Sequence, residues 1–235
     1  MAHAQREAPV KALARVAGFF YLLIIAGAIF APFAAAPSGM MATPLAPERI
    51  LAAREMYVIG GVIQLVLGVC DLVIAAVFFV LFRPVSGAIA LAATVLKVTF
   101  VAIVNANVLN HFAPLFILGD HTAFDYDQRM SLALLFLRLR TMGLDISFVF
   151  FGFACLGYGY LILRSTFLPR IIGVLLAIGG LGYVANIAAA FLPPAIAHLA
   201  FPYVMLPAGF AEISLALWLT IVGVNAAKWK ALVQG

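Results

Sequence analysis

Long apolar runs separated by short polar breaks dominate the chain. Six of them, near residues 15–36, 56–82, 88–110, 141–163, 171–191 and 203–226, reach the roughly 20 helical residues needed to cross a bilayer core. The breaks carry the residues that stop helices. Pro37-Ser38-Gly39 follows the first run, Arg83-Pro84 separates the second from the third, and Pro193-Pro194 ends the fifth. The stretch from Arg164 to Arg170, with Pro169, turns the fourth run into the fifth; proline lacks the amide that a continuing helix would use. The pattern predicts an all-α polytopic membrane bundle of about six transmembrane helices, one domain over residues 1–235.

Two segments between the runs also read as helical. Residues 47–57 suit a short amphipathic surface helix, with Pro47 at its first position, Glu48 at its positive end, and Ile50, Leu51 and Tyr57 facing lipid. Residues 127–140 lack a breaker and extend the fourth helix beyond the membrane, with Thr122, Asp125 and Asp127 as candidate caps. Gly87 and Gly173 each open a helix after a basic hairpin, a similarity that ordinary loop chemistry explains without an internal repeat.

Composition agrees with this reading. The chain is 66% hydrophobic and 10% charged, against about 25% charged in a soluble domain, so lipid must solvate much of it. A net charge of +5 does not signal nucleic acid, because the basic residues gather at the ends of apolar runs, where they set orientation and meet anionic lipid. With the N-terminus inside, that side holds Arg6, Lys11, Arg15, Arg83, Arg164, Arg170, Lys228 and Lys230 against the single acid Glu7. The other side balances Arg49, Arg54, Arg129, Arg138 and Arg140 with Glu48, Glu55, Asp120, Asp125 and Asp127. An N-in, C-in topology is expected. The first run exceeds the 7–15 apolar residues of a signal peptide, so Ala34-Ala35-Ala36 is not expected to be cleaved. Cys70 and Cys155 stand alone in apolar runs and read as buried small hydrophobes.

The polar residues inside the runs carry the functional information. An ionisable group at a membrane helix centre costs about 2.5–3.5 kcal/mol on insertion scales. Counting from the inner helix ends at ~1.5 Å per residue places Asp71 ~17 Å, Lys97 ~14 Å and Glu212 ~20 Å deep, near the midplane. Asn105, Asn107, Asn110, His111, Asp145 and Asn186 fall in the outer half, while the inner half is almost wholly apolar. Gln64 and Asp71 share a face with Gly68 between them, and Arg138, Thr141 and Asp145 form a stripe in which Arg138 and Asp145 are expected to pair. Asp71 and Lys97, on helices joined by a short turn, are also expected to pair, and Lys97 or Asn186 is a candidate partner for Glu212. Small residues around Glu212 (Ala208, Gly209, Ala211 and Ala216) permit close helix approach. An outward-opening polar cavity follows as an expectation. Its candidate ligand or proton sites are Asp71, Lys97, Glu212, Gln64, Asn105, His111, Asp145 and Asn186. Each has a plainer reading as helix glue or a buried ion pair.

At the second inner hairpin the residues resemble a known family. Gly159-Tyr160-Leu161-Ile162-Leu163-Arg164-Ser165 and Leu168-Pro169-Arg170-Ile171-Ile172-Gly173-Val174-Leu175 are similar to a family of bacterial multi-pass membrane proteins catalogued as a domain of unknown function. Arg15-x-x-Gly18-x-x-Tyr21, Arg83-Pro84-Val85, Gly180-Leu181-Gly182-Tyr183 and Glu212-x-Ser214-Leu215-Ala216-Leu217-Trp218-Leu219 support the likeness, over roughly 13–225. The resemblance implies about six helices and a bacterial inner membrane, and brings no activity or catalytic residues with it. Lys97 and His111 lie outside its pattern.

Three classes of function remain. Binding or transport of a small molecule or proton through the polar cavity stands first, ahead of a structural or accessory membrane protein and an intramembrane enzyme using Asp71, Glu212 and His111 for acid–base work. No zinc-protease, phosphate-loop or serine-hydrolase motif is present. His111, Asp120, His121, Asp125 and Asp127 match no metal spacing, so neither metal nor cofactor is expected. The expected partners are membrane lipid and a small-molecule ligand, and the sequence carries no signal for oligomeric state.

Overall fold

A computed structural model describes residues 8–35, 47–119, 124–190 and 206–234. Every element among them is helical: α1 (Ala8–Ala35), α2 (Pro47–Ala52), α3 (Arg54–Phe82), α4 (Gly87–Ala106), α5 (Val108–Ile117), α6 (Tyr126–Arg164), α7 (Arg170–Ala190), α8 (Leu206–Ile221) and α9 (Ala226–Gln234). By length and hydropathy α1, α3, α4 with α5, and α6 can each cross a membrane. The segment 170–185 of α7 is apolar too, and α8 forms a pair with α9 bent by 94°.

The helices follow the apolar runs, with three informative differences. Residues 47–57 do not form one surface helix. The chain kinks at Ala53 (φ −118°, ψ 32°) and Tyr57 belongs to α3. Only Leu51 faces outward, while Ile50 and Tyr57 are each 1% exposed. The third run continues to Ile117 with a break at Asn107, whose side-chain amide donates to the Arg140 carbonyl at 2.7 Å. The fourth helix does extend back through 127–140, as expected, to begin at Tyr126, and Asp125 caps it. Its carboxylate accepts from the Gln128 amide at 2.8 Å and Gln128 reciprocates at 3.2 Å, satisfying two donors that the first turn leaves free. Finally, the sixth run stops at Ile221. Gly223 adopts φ 76°, a conformation open to glycine at little cost, and α9 leaves at nearly a right angle. The breaks expected at Pro37-Ser38-Gly39 and Pro193-Pro194, and the cap Thr122, lie outside the described residues.

Close backbone approach holds the α6–α7 hairpin. A Cβ on Gly152 would meet the Gly180 carbonyl at 2.8 Å, and one on Gly159 would meet the Gly173 carbonyl at 2.9 Å. These paired glycines, seven apart on each helix, let the two backbones touch. Gly87, by contrast, meets nothing within 4 Å, so the two hairpin glycines do different jobs, as expected without a repeat. Elsewhere Gly179 packs on Ala208, and Gly18 packs on Thr220, seating the first long helix against the last.

One end of the bundle gathers the N-terminal end of α1, both basic hairpins and α9. Lys11 contacts Gly223, the Asn225 amide donates to the Phe167 carbonyl at 3.1 Å, and the Trp229 indole donates to the Leu81 carbonyl at 2.9 Å. The core nearest this end is aromatic, with Phe78, Phe82, Tyr158 and Phe167 in mutual ring contact. That is the apolar half expected from the sequence.

Candidate functional site

The polar groups expected near the midplane converge, and each of the six long helices supplies a side chain. From α3 and α4, Asp71 and Lys97 form an ion pair at 2.7 Å with side chains 8% and 4% exposed. The contact is an ion pair without hydrogen-bond geometry. The Lys97 ammonium also sits over aromatic faces, 4.4 Å from the Phe151 ring centre on α6 and 5.6 Å from that of Tyr21 on α1. Such faces attract a cation electrostatically.

Glu212, on α8, has different company. Tyr21 donates its hydroxyl to one carboxylate oxygen at 3.1 Å, and Tyr183 of α7 makes a short hydrogen bond to the other. Phe151 links the two halves, since it also packs edge-on to Tyr183 at 5.0 Å. Tyr21 touches both as well. The cluster therefore contains two carboxylates and one ammonium, and the ammonium is paired with Asp71. Among the described residues no cation lies within ion-pair distance of Glu212.

A second polar group lies toward the other end. Tyr57 and His111 stack with ring centres 3.9 Å apart, and they exchange hydrogen bonds. The Tyr57 hydroxyl donates to the His111 carbonyl at 2.6 Å, while His111 Nε2 is 2.8 Å from the Tyr57 carbonyl. A carbonyl only accepts, so Nε2 carries the proton here. Gln64 accepts from Arg140 at 3.5 Å, and Asn110 donates to Asn107 at 2.8 Å. Asn105 packs its amide against Gly68 and leaves its oxygen without a hydrogen bond.

The candidate residues thus separate into two groups rather than lining a single opening. Asp71, Lys97 and Glu212 form the first, and Gln64 and His111 the second, with Asn105 at Gly68 between them. Asp145 joins neither. The expected pair with Arg138 is absent among the described residues, because seven positions place the two groups about 10.5 Å apart along the helix. Asn186 lies in α7, but its side chain is outside the described residues, as are Asp120 and His121. The close approach near Glu212 is made by Ala208, Ala211 and Ala216, all buried, while a Cβ on Gly209 would meet nothing. Tyr21, Tyr183 and Phe151 were not among the candidates. A signal existed for the tyrosines, since Tyr21, Tyr183 and Glu212 each close or open a fragment that carries the family resemblance.

The model of the DUF4386 domain of unknown function matches residues 16–223. An uncharacterized protein of Archaeoglobus fulgidus is 25% identical over 168 residues, covering 72% of this chain and 85% of that protein. No solved structure matches the chain.

Proposed function

The chain belongs to the DUF4386 family, and from its midplane cluster we propose that it binds or carries a proton, or a small cationic solute, at Glu212. The observation that supports this is the surplus carboxylate. Asp71 and Lys97 neutralise one another, so Glu212 needs a proton or a cation to balance its own charge in a medium that penalises bare ions. Its two neighbours suit exchange. A hydroxyl donates to a carboxylate and accepts from a carboxylic acid, whereas an ammonium has no acceptor, so Tyr21 and Tyr183 can hold Glu212 in either state.

The setting we propose is a six-span protein of a bacterial inner membrane with both termini in the cytoplasm. In it, α9 and the basic hairpins occupy the inner face, as the positive-inside rule requires. The outer group around His111 would mark the entry side. A structural or accessory role is the second reading, favoured by the tight burial of the Asp71–Lys97 pair, which holds α3 to α4 without any ligand.

Glu212→Gln separates the two, because it keeps shape and hydrogen bonding while removing the titratable charge. Purified protein in detergent would be screened by thermal shift against amines, metal cations and metabolites at several pH values. We expect wild type to show a pH-dependent shift with a cationic compound. The Gln variant should insert, melt near the wild-type temperature and lose that dependence. Identical behaviour of the two proteins across the screen would favour the structural reading.

A further inference from the structure

The last helix, α9, crosses the end of the bundle instead of continuing the line of α8. Ala226, Trp229 and Leu232, at a three-residue spacing, pack on the core, while Ala227, Lys228, Ala231, Val233 and Gln234 are exposed. An amphipathic helix at right angles to a membrane span lies along the bilayer surface.

A groove opens on each side of α9. One, of about 510 Å³, is lined by Lys11, Trp218, Gly223 and Asn225. The other, of about 450 Å³, is lined by Phe79, Arg83, Pro84, Trp229 and Val233. Both lie within the size range of small-molecule sites, roughly 300–1,000 Å³. Their composition repeats: each has one cation, one tryptophan and apolar walls. Neither Lys11 nor Arg83 has an ion pair among the described residues. Trp218 and Val233 leave 36% and 54% of their surfaces exposed, apolar area free to meet acyl chains. An indole prefers the headgroup level, and a basic pocket at that level attracts an anionic headgroup.

We propose that the two grooves beside α9 are binding sites for anionic phospholipid. The phosphate would lie against Lys11 in one and Arg83 in the other, and the acyl chains would run along the apolar walls. Charge complementarity and the membrane-facing walls select this occupant over a soluble phosphate, which would gain nothing from Trp218 or Val233. The site is independent of the Glu212 cluster and would persist if that reading failed.

The protein contains two tryptophans, one in each groove, so its intrinsic fluorescence reports on these sites. The whole chain would be reconstituted with bromine-labelled acyl chains carried on phosphatidylglycerol or, separately, phosphatidylcholine. We expect quenching to favour the anionic lipid about fivefold per groove, the preference that one cation near the surface supplies. Lys11→Gln should abolish the preference at Trp218, read in a Trp229→Phe background, and Arg83→Gln should abolish it at Trp229, read in Trp218→Phe. Arg164→Gln, at the same end but outside both grooves, should leave it intact. If either tryptophan variant fails to fold, the double variant Lys11→Gln/Arg83→Gln with both tryptophans present reads the same loss. Equal quenching by the two lipids overturns the proposal, as does a preference that survives the double variant or falls equally with Arg164→Gln. Competition by free glycerol phosphate would assign the grooves to a soluble phosphate and overturn it too.

Discussion

At the scale of single residues, Asp71 and Lys97 show what the membrane demands of charge. Each alone would be costly among apolar helices, and at 2.7 Å they offset one another. Removing one partner, as in Lys97→Met, leaves the other bare and should destabilise the protein by about 3–5 kcal/mol. The double variant Asp71→Leu/Lys97→Met should be far milder, since both desolvation costs vanish together. Chemical denaturation of the four proteins measures this. If the double variant is as unstable as the worse single one, the coupling is absent. This pair was legible in the sequence because rare charges at matched depth on adjacent helices have few alternatives. The partners of Glu212 were not. Tyrosine is ordinary in a chain with 12% aromatic residues, and depth along a helix does not tell which side chains meet across helices.

At the scale of elements, glycine decides how closely helices approach. Gly159 faces the Gly173 carbonyl and the Ala177 amide, where a methyl group has no room. Gly159→Ala should therefore cost about 1–3 kcal/mol, as overpacking does. Gly209→Ala, where nothing lies within 4 Å, should be neutral or slightly stabilising, because alanine favours the helix by up to about 1 kcal/mol. Thermal unfolding in detergent distinguishes them, and equal effects would mean that helix propensity, not contact, governs both sites. Helix existence could be read from hydropathy alone. The tie from Asn107 to α6 could not, because its acceptor, the Arg140 carbonyl, lies 33 positions away in sequence. Nor could the turn into α9, since apolar character continues past Ile221 into Val222 and Val224.

At the scale of the whole molecule, the proposed orientation places the basic end of the bundle inside. Alkaline phosphatase fused after Gly235 should be inactive, and a cytoplasmic reporter at the same place active. The reverse result would remove the six-span arrangement. The order in which the parts become available also follows from the fold. Gly18 and Arg15 of α1 meet the end of α8, through Thr220 and the Ile221 carbonyl, and Tyr21 waits for a residue 191 positions later. At ~5–20 residues per second, a ribosome takes about 10–40 s to supply it. Only over the last 29 positions, from Tyr183 to Glu212, does the nascent chain hold the ion-pair residues and both tyrosines yet lack the carboxylate that completes the cluster. A chain that ends before α8 lacks Glu212 and should show none of the pH-dependent ligand binding proposed for that carboxylate.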